Sequence, residues 1–243
     1  MTMVLHNDRV RSEIDPARGA RLVSLRLDGH ETLGGADPGT TDASIGSGCY
    51  PMVPWAGRLS GHDIHGPGRD ANWTDHGDGE FSVALTDATG ETGIATLGYL
   101  LLDDGLEMAL AWHGAPDGWC SLGFHPWFRR QLGVGAPVQV DVQPITMVER
   151  DADHRPTGAL RTPTPRPWDD CFTLAAAPRL TWPGALSLDL VSDADWWVVF
   201  DASREAVCLE PQTAPPDAVR HPALQPVIWS RSVSLRISVR SGR

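Results

Sequence analysis

The sequence contains no lysine: every one of its 20 basic residues is arginine. That absence excludes Schiff-base chemistry on a lysine amine and phosphate binding by a P-loop lysine. Arginine codons in a GC-rich genome account for it without invoking function. Cysteine is sparse. Cys49, Cys120, Cys171 and Cys208 are far apart, with no CxxC and no His–Cys spacing of a zinc site. Free buried thiols in a reducing compartment, and no metal or cofactor, are the expectation. No apolar run nears a membrane span, the longest being short stretches such as 100–102 and 196–200. The first nine residues lack the basic and then apolar pattern of a secretory signal, so a cytoplasmic protein is expected. A net charge of -11 leaves no basic face for nucleic acid or an anionic membrane.

What is present is alternation. Residues 20–27 place Val23, Leu25 and Leu27 on one face before a turn at Asp28-Gly29, and 80–86 alternates Phe81, Val83 and Leu85 with smaller or polar residues. Residues 98–102 and 106–112 flank Asp103-Asp104-Gly105 as a hairpin, and 138–142, 185–191, 195–201 and 232–239 read as further strands. No sustained helical stripe occurs. The class is all-β, a sandwich or barrel, and 243 residues suit a single domain, 1–243. The proline-rich segment 162–167 reads as a loop within that domain, because strands resume on both sides without a change in composition.

The stretch 206–217, Ala-Val-Cys-Leu-Glu-Pro-Gln-Thr-Ala-Pro-Pro-Asp, stands apart. Val207 to Leu209 suit a buried strand; Pro211 cannot donate to a ladder, so the strand is expected to stop there, with Glu210 at its mouth. Three loops carry further polar chemistry. Gly48 to Arg58 combines Tyr50 and Trp55 with Arg58 and is followed by His65-Gly66, a mixture suited to sugar faces and hydroxyls. Gly123-Phe124-His125-Pro126-Trp127-Phe128 sets a histidine among aromatics, where proton transfer near neutrality is within reach. Pro167 to Phe172 holds the acidic pair Asp169-Asp170. Arg129-Arg130, next to the His125 loop, could meet a phosphate. Each of these also has an ordinary structural reading: a solvated arginine, a hydrogen-bonded structural histidine, an acidic turn cap.

Taken in order, Pro-x-x-Pro-Trp-x-Gly-Arg, His-Gly, Gly-x-His-Pro-aromatic-Phe, Asp-x-x-Phe and a strand ending Glu-Pro-Gln-Thr resemble the aldose 1-epimerase, or galactose mutarotase, family across 48–217. The resemblance implies a large antiparallel β supersandwich and interconversion of the α and β anomers of a free monosaccharide. It implies Glu210 as general base, His125 as general acid and His65 beside it, with Arg58, Asp169, Gln212 and Trp127 as sugar contacts. Asp170 stands where many members have histidine. Only six residues separate Arg58 from His65, fewer than usual, which opens one wall of the site, and Pro226-Val227-Ile228 replaces the usual Pro-Gly-Glu turn.

The chemistry is self-consistent. Opening a cyclic hemiacetal needs one group to take the anomeric proton and another to protonate the ring oxygen, each worth on the order of 10²- to 10⁴-fold. Two other functions use the same residues. A sugar-binding or sensing module needs no acid–base pair, and a glycoside hydrolase needs two carboxyl groups facing across a cleft.

Overall fold

The computed structural model describes residues 2–35, 46–115, 118–226 and 230–240. Val227 and Ile228 lie outside that range. In chain order the strands are β1 (Met3–His6), β2 (Val10–Asp15), β3 (Arg21–Leu27), β4 (His30–Glu31) and β5 (Cys49–Met52), then β6 (Thr74–Gly77), β7 (Glu80–Thr86), β8 (Thr92–Leu101) and β9 (Gly105–His113). Next come β10 (Gly123–Arg129), β11 (Gln139–Asp141), β12 (Pro144–Arg150), β13 (Pro156–Arg161) and β14 (Asp169–Leu174). The last are β15 (Arg179–Trp182), β16 (Leu186–Ser192), β17 (Trp196–Phe200), β18 (Ala206–Gln212) and β19 (Ser232–Val239). The remaining regular elements described are short 3-10 turns, and among the described residues no helix is long and apolar enough to cross a membrane.

Two antiparallel sheets result. The larger runs β1-β2-β3-β5-β10-β18-β17-β14-β12-β13, with β4 added beside β3, and the smaller runs β11-β15-β16-β19-β9-β8-β7-β6. One apolar core lies between them, drawing Phe124, Phe172, Trp197 and Leu209 from the first sheet and Phe81, Leu97, Trp112 and Leu235 from the second. Such face-to-face packing follows from the period-two pattern, because each sheet has one apolar face to bury. The chain thus crosses from one sheet to the other several times, and 162–167 is a loop joining β13 to β14.

Two sequence expectations are corrected. Val23 does not share a face with Leu25 and Leu27; it is 37% exposed, while Leu22 is buried. The cause is a register shift, Glu13 pairing with Ser24 but Ile14 with Leu22, which leaves Val23 as the extra residue of a bulge. Nor does the strand end at Pro211. β18 continues to Gln212, and Trp197 and Trp196 of β17 pair with Pro211 and Gln212. Thr213 donates its N–H to Leu122 O, on the β10 side. By alternation the missing N–H of Pro211 faces β10 as well, so the β17 ladder loses nothing.

Across the β10–β18 seam the same logic applies twice. Trp127 donates to Gly48 O on the β5 side, which turns the hydrogen-bonding edges of 124, 126 and 128 toward β18. Pro126 and Pro211 therefore each remove a bond from successive rungs, and regular pairing lapses between the Gly123–Gln212 and Trp127–Cys208 pairs.

Candidate active site

The seam lies at the middle of the larger sheet, and the residues on its outer face form the site. The register that pairs Gly123 with Gln212 and Trp127 with Cys208 sets His125 opposite Glu210. Tyr50 lies opposite His125 on the other side, Val198 opposite Glu210, and Cys171 opposite Val198. One row of side chains, Tyr50, His125, Glu210, Val198, Cys171, thus crosses five strands on the face away from the core. The neighbouring row holds Trp127, Cys208, Phe200 and Asp169. In β18 this alternation sends Val207 and Leu209 into the core and Glu210 and Gln212 into a cavity of about 560 Å³. That size suits a small-molecule ligand.

All seven side chains singled out in the sequence line this cavity: Arg58, His65, His125, Trp127, Asp169, Glu210 and Gln212. His125 Nε2 lies 3.2 Å from Glu210 Oε1, with both residues buried. Gln212 Nε2 donates to Glu210 Oε2 at 3.4 Å. Burial pushes the Glu210 carboxyl well above its ordinary value, helped by the charge of Asp169 and opposed by the Gln212 hydrogen bond. Burial holds His125 down, to about 3, with the charges of Arg21 and Arg69 acting in the same direction. Both shifts disfavour separated charges, so the pair is best described as sharing one proton between Oε1 and Nε2.

Rings fix the imidazole in place. His125 stacks on Tyr50 (centroids 4.8 Å apart, planes 28°) and on Trp127 (5.2 Å, 14°), and the Arg21 guanidinium lies 4.5 Å from the centre of the Tyr50 ring. His65 meets His125 edge-on at 4.8 Å. Its Nδ1 accepts the Gly57 N–H at 3.3 Å, which places the proton of the neutral ring on Nε2. Burial, then the charges of His125, Arg69 and Arg58, keep that ring neutral. His65 adopts φ 69° and Gly57 φ 67°, and a Cβ at Gly57 would sit 2.8 Å from Pro216 Cγ. A non-glycine residue held in this region is strain that the surroundings must sustain, a feature that clusters at functional sites. Among the described residues, Tyr50 Oη, His125 Nδ1 and Gln212 Oε1 are buried without hydrogen-bond partners. Such atoms cost about 1–3 kcal/mol each, so three in one place mark a site organised for something other than stability.

At the cavity edge Asp169 is about half exposed and Arg58 lies exposed at the mouth. Both acids of the pair are tied to Arg150, whose Nη2 is 2.6 Å from Asp170 Oδ1 and whose Nη1 is 3.6 Å from Asp169 Oδ2. Asp169 stands in the cavity-facing row. Arg150 escaped the sequence reading because nothing local marks it: β12 brings it in from outside every motif. Val148 and Phe200 were missed for the same reason, whereas Cys171 lies inside the Asp-x-x-Phe motif and was read only as a buried thiol. Arg129 and Arg130 are committed elsewhere, Arg129 Nε donating to Leu33 O and Arg130 to Ser203 O and Asp201 O. Neither lines the cavity.

Comparison with solved structures decides the architecture. A putative aldose 1-epimerase from Escherichia coli K12 superposes with a TM-score of 0.78 at 16% identity, covering 99% of each chain. A galactose mutarotase-like protein from Clostridium acetobutylicum gives 0.79 at 15% identity, over 98% of this chain and 94% of that one. This is the galactose mutarotase-like fold. An aldose epimerase homologue from C. elegans shares it, with a TM-score of 0.75 at 15% identity over 99% and 98% of the two chains. At these identities the likeness is one of fold. No family model and no curated protein matches the sequence.

Proposed function

We propose that the chain, acting as one domain, is an aldose 1-epimerase that interconverts the anomers of a free monosaccharide. The observation that carries this reading is the His125 Nε2–Glu210 Oε1 contact of 3.2 Å at the floor of a sugar-sized cavity. Glu210, in its carboxylate form, takes the proton of the anomeric hydroxyl while His125 delivers one to the ring oxygen. The C–O bond opens, the aldehyde turns about C1–C2, and the reverse transfers close the ring on the other face. One proton held jointly by the pair is the number this cycle needs, because one group must be empty while the other is loaded. His65 supports the developing charge from its Nε2–H. Trp127 offers an apolar face to the sugar, and Arg58, Asp169 and Gln212 hold its hydroxyls. Acid and base suffice for every step.

The partner of Glu210 at bonding distance is an imidazole, and this favours the epimerase over a hydrolase built on two carboxyl groups. The test is polarimetry of freshly dissolved α-D-glucose and α-D-galactose with wild-type protein and Glu210→Gln. Acceleration that is lost in the variant is the expected result. Equal mutarotation by both proteins would defeat the assignment, and reducing-sugar release from a glycoside would point to hydrolysis instead.

A further inference from the structure

No cysteine stands near a histidine in the sequence at metal-ligand spacing, yet the fold brings one to the acid–base pair. Donor atoms of His125, Cys208 and Glu210 all lie within 4.8 Å of one another, and all three residues are buried. Cys208 belongs to β18 two residues before Glu210, on the same face, and sits between Trp127 and Phe200 in its row. We propose that these three side chains form a binding site for a thiophilic divalent ion of the zinc and cadmium type. Thiolate, imidazole and carboxylate are the donors such ions take, with bonds of about 2.0–2.3 Å. Small rotations of the three side chains bring the donors to the closer spacing those bonds require. The carboxylate and thiolate contribute two negative charges that balance the dication, and the thiol releases its proton to solvent as the sulfur–metal bond forms. His125 and Glu210 line the cavity, from which a water or a sugar hydroxyl would complete the coordination. Magnesium and calcium, which take oxygen donors, are not accommodated.

Occupancy has a functional consequence that rests on the epimerase reading. An ion held by His125 and Glu210 engages the acid and the base together, so it stops turnover. The site is therefore inhibitory.

The experiment uses the purified, full-length protein and Cd²⁺ as the probe, following the ultraviolet charge-transfer absorption of a cadmium–thiolate bond. One ion per chain, a band lost in Cys208→Ser and retained in Cys171→Ser, is the expected outcome. Zn²⁺ then inhibits mutarotation of the wild-type protein, and Cys208→Ser raises the half-inhibiting concentration by roughly tenfold or more. If Cys208→Ser does not fold, His125→Asn keeps the thiol and must still weaken Cd²⁺ binding to the same degree. Absence of the band, its survival in Cys208→Ser, or Cd²⁺ binding by His125→Asn as tight as by the wild type, overturns the site. Inhibition of equal strength in wild type and Cys208→Ser overturns the inhibitory role. Because the cadmium band needs no turnover, a protein that fails to accelerate mutarotation refutes the epimerase reading and leaves the metal site to be judged by the band alone.

Discussion

The two faces of β18 divide the labour of the molecule. On one, Val207 and Leu209 are hydrocarbon packed into the intersheet core; on the other, Cys208, Glu210 and Gln212 alternate with them and carry a thiol, a buried acid and an amide. Both faces are fully buried, so burial alone does not separate them. What separates them is satisfaction. The core face has no polar group to partner, whereas the cavity side and its neighbours hold polar atoms without partners and a histidine with φ above zero. The sheet supplies stability on one side and tolerates its cost on the other.

The sharpest way to break the comparison is to alter one face and measure both properties. Glu210→Gln keeps the shape and removes the proton-accepting group; mutarotation should fall by about 10²- to 10⁴-fold, with a melting temperature equal to or above the parent's. Leu209→Ala should do the reverse. It leaves a cavity in the core and costs about 2–5 kcal/mol in denaturant unfolding, while the rate per folded molecule stays near wild type. If Leu209→Ala instead abolished the rate in folded protein, the two faces would not be independent. Arg150→Met should release Asp169 and Asp170, raising KM roughly tenfold with little change in kcat, because charge-assisted hydrogen bonds of this kind contribute about 1.5–3 kcal/mol. A fall confined to kcat would place Arg150 nearer the chemistry.

The pH profile sharpens the comparison further. His125 is held to about 3, so the pair gains a second proton, which removes the base, only as pH falls toward that value. Burial raises Glu210, which moves the loss of the pair's first proton, and with it the acid, upward from the ordinary carboxylate range. The rate should therefore be flat through the ordinary imidazole value of about 6.5. A break near that value in kcat would show an unperturbed histidine in control. Tyr50→Phe should give the smallest effect on the rate. It deletes a buried hydroxyl with no partner among the described residues, so stability should rise by about 1–3 kcal/mol, and the ring stack on His125 should remain, with little change in rate.

The strands were legible because alternation survives in them: β7 and β19 span the residues expected, and the Asp28-Gly29 turn joins β3 to β4. Bulges are not written in alternation, which is why Val23 was placed on the wrong face. Pro211 misled for a related reason. A missing N–H ends a strand only if a neighbour wants it, and which neighbour wants what is a matter of register. Glu210, His125 and their companions could be found because each sits in a local motif. Arg150 and the nearness of Cys208 to His125 depend on pairings between distant segments, and a linear reading does not hold them. Gln212, two residues beyond the acid, was visible as a neighbour, but its hydrogen bond to Glu210 is geometry that only the fold supplies.

Pro126 and Pro211, meeting across the centre of the sheet, have one more consequence. Where a ladder is complete, its bonds fix how far apart two strands stand, and no side chain can change that spacing much. At this seam successive rungs each lack a bond, so the sheet has an expansion joint at the place where the imidazole and carboxyl face each other. The gap between them is then set by what is wedged beside it, the Tyr50 and Trp127 rings stacked on the imidazole, as a clearance is set by shims.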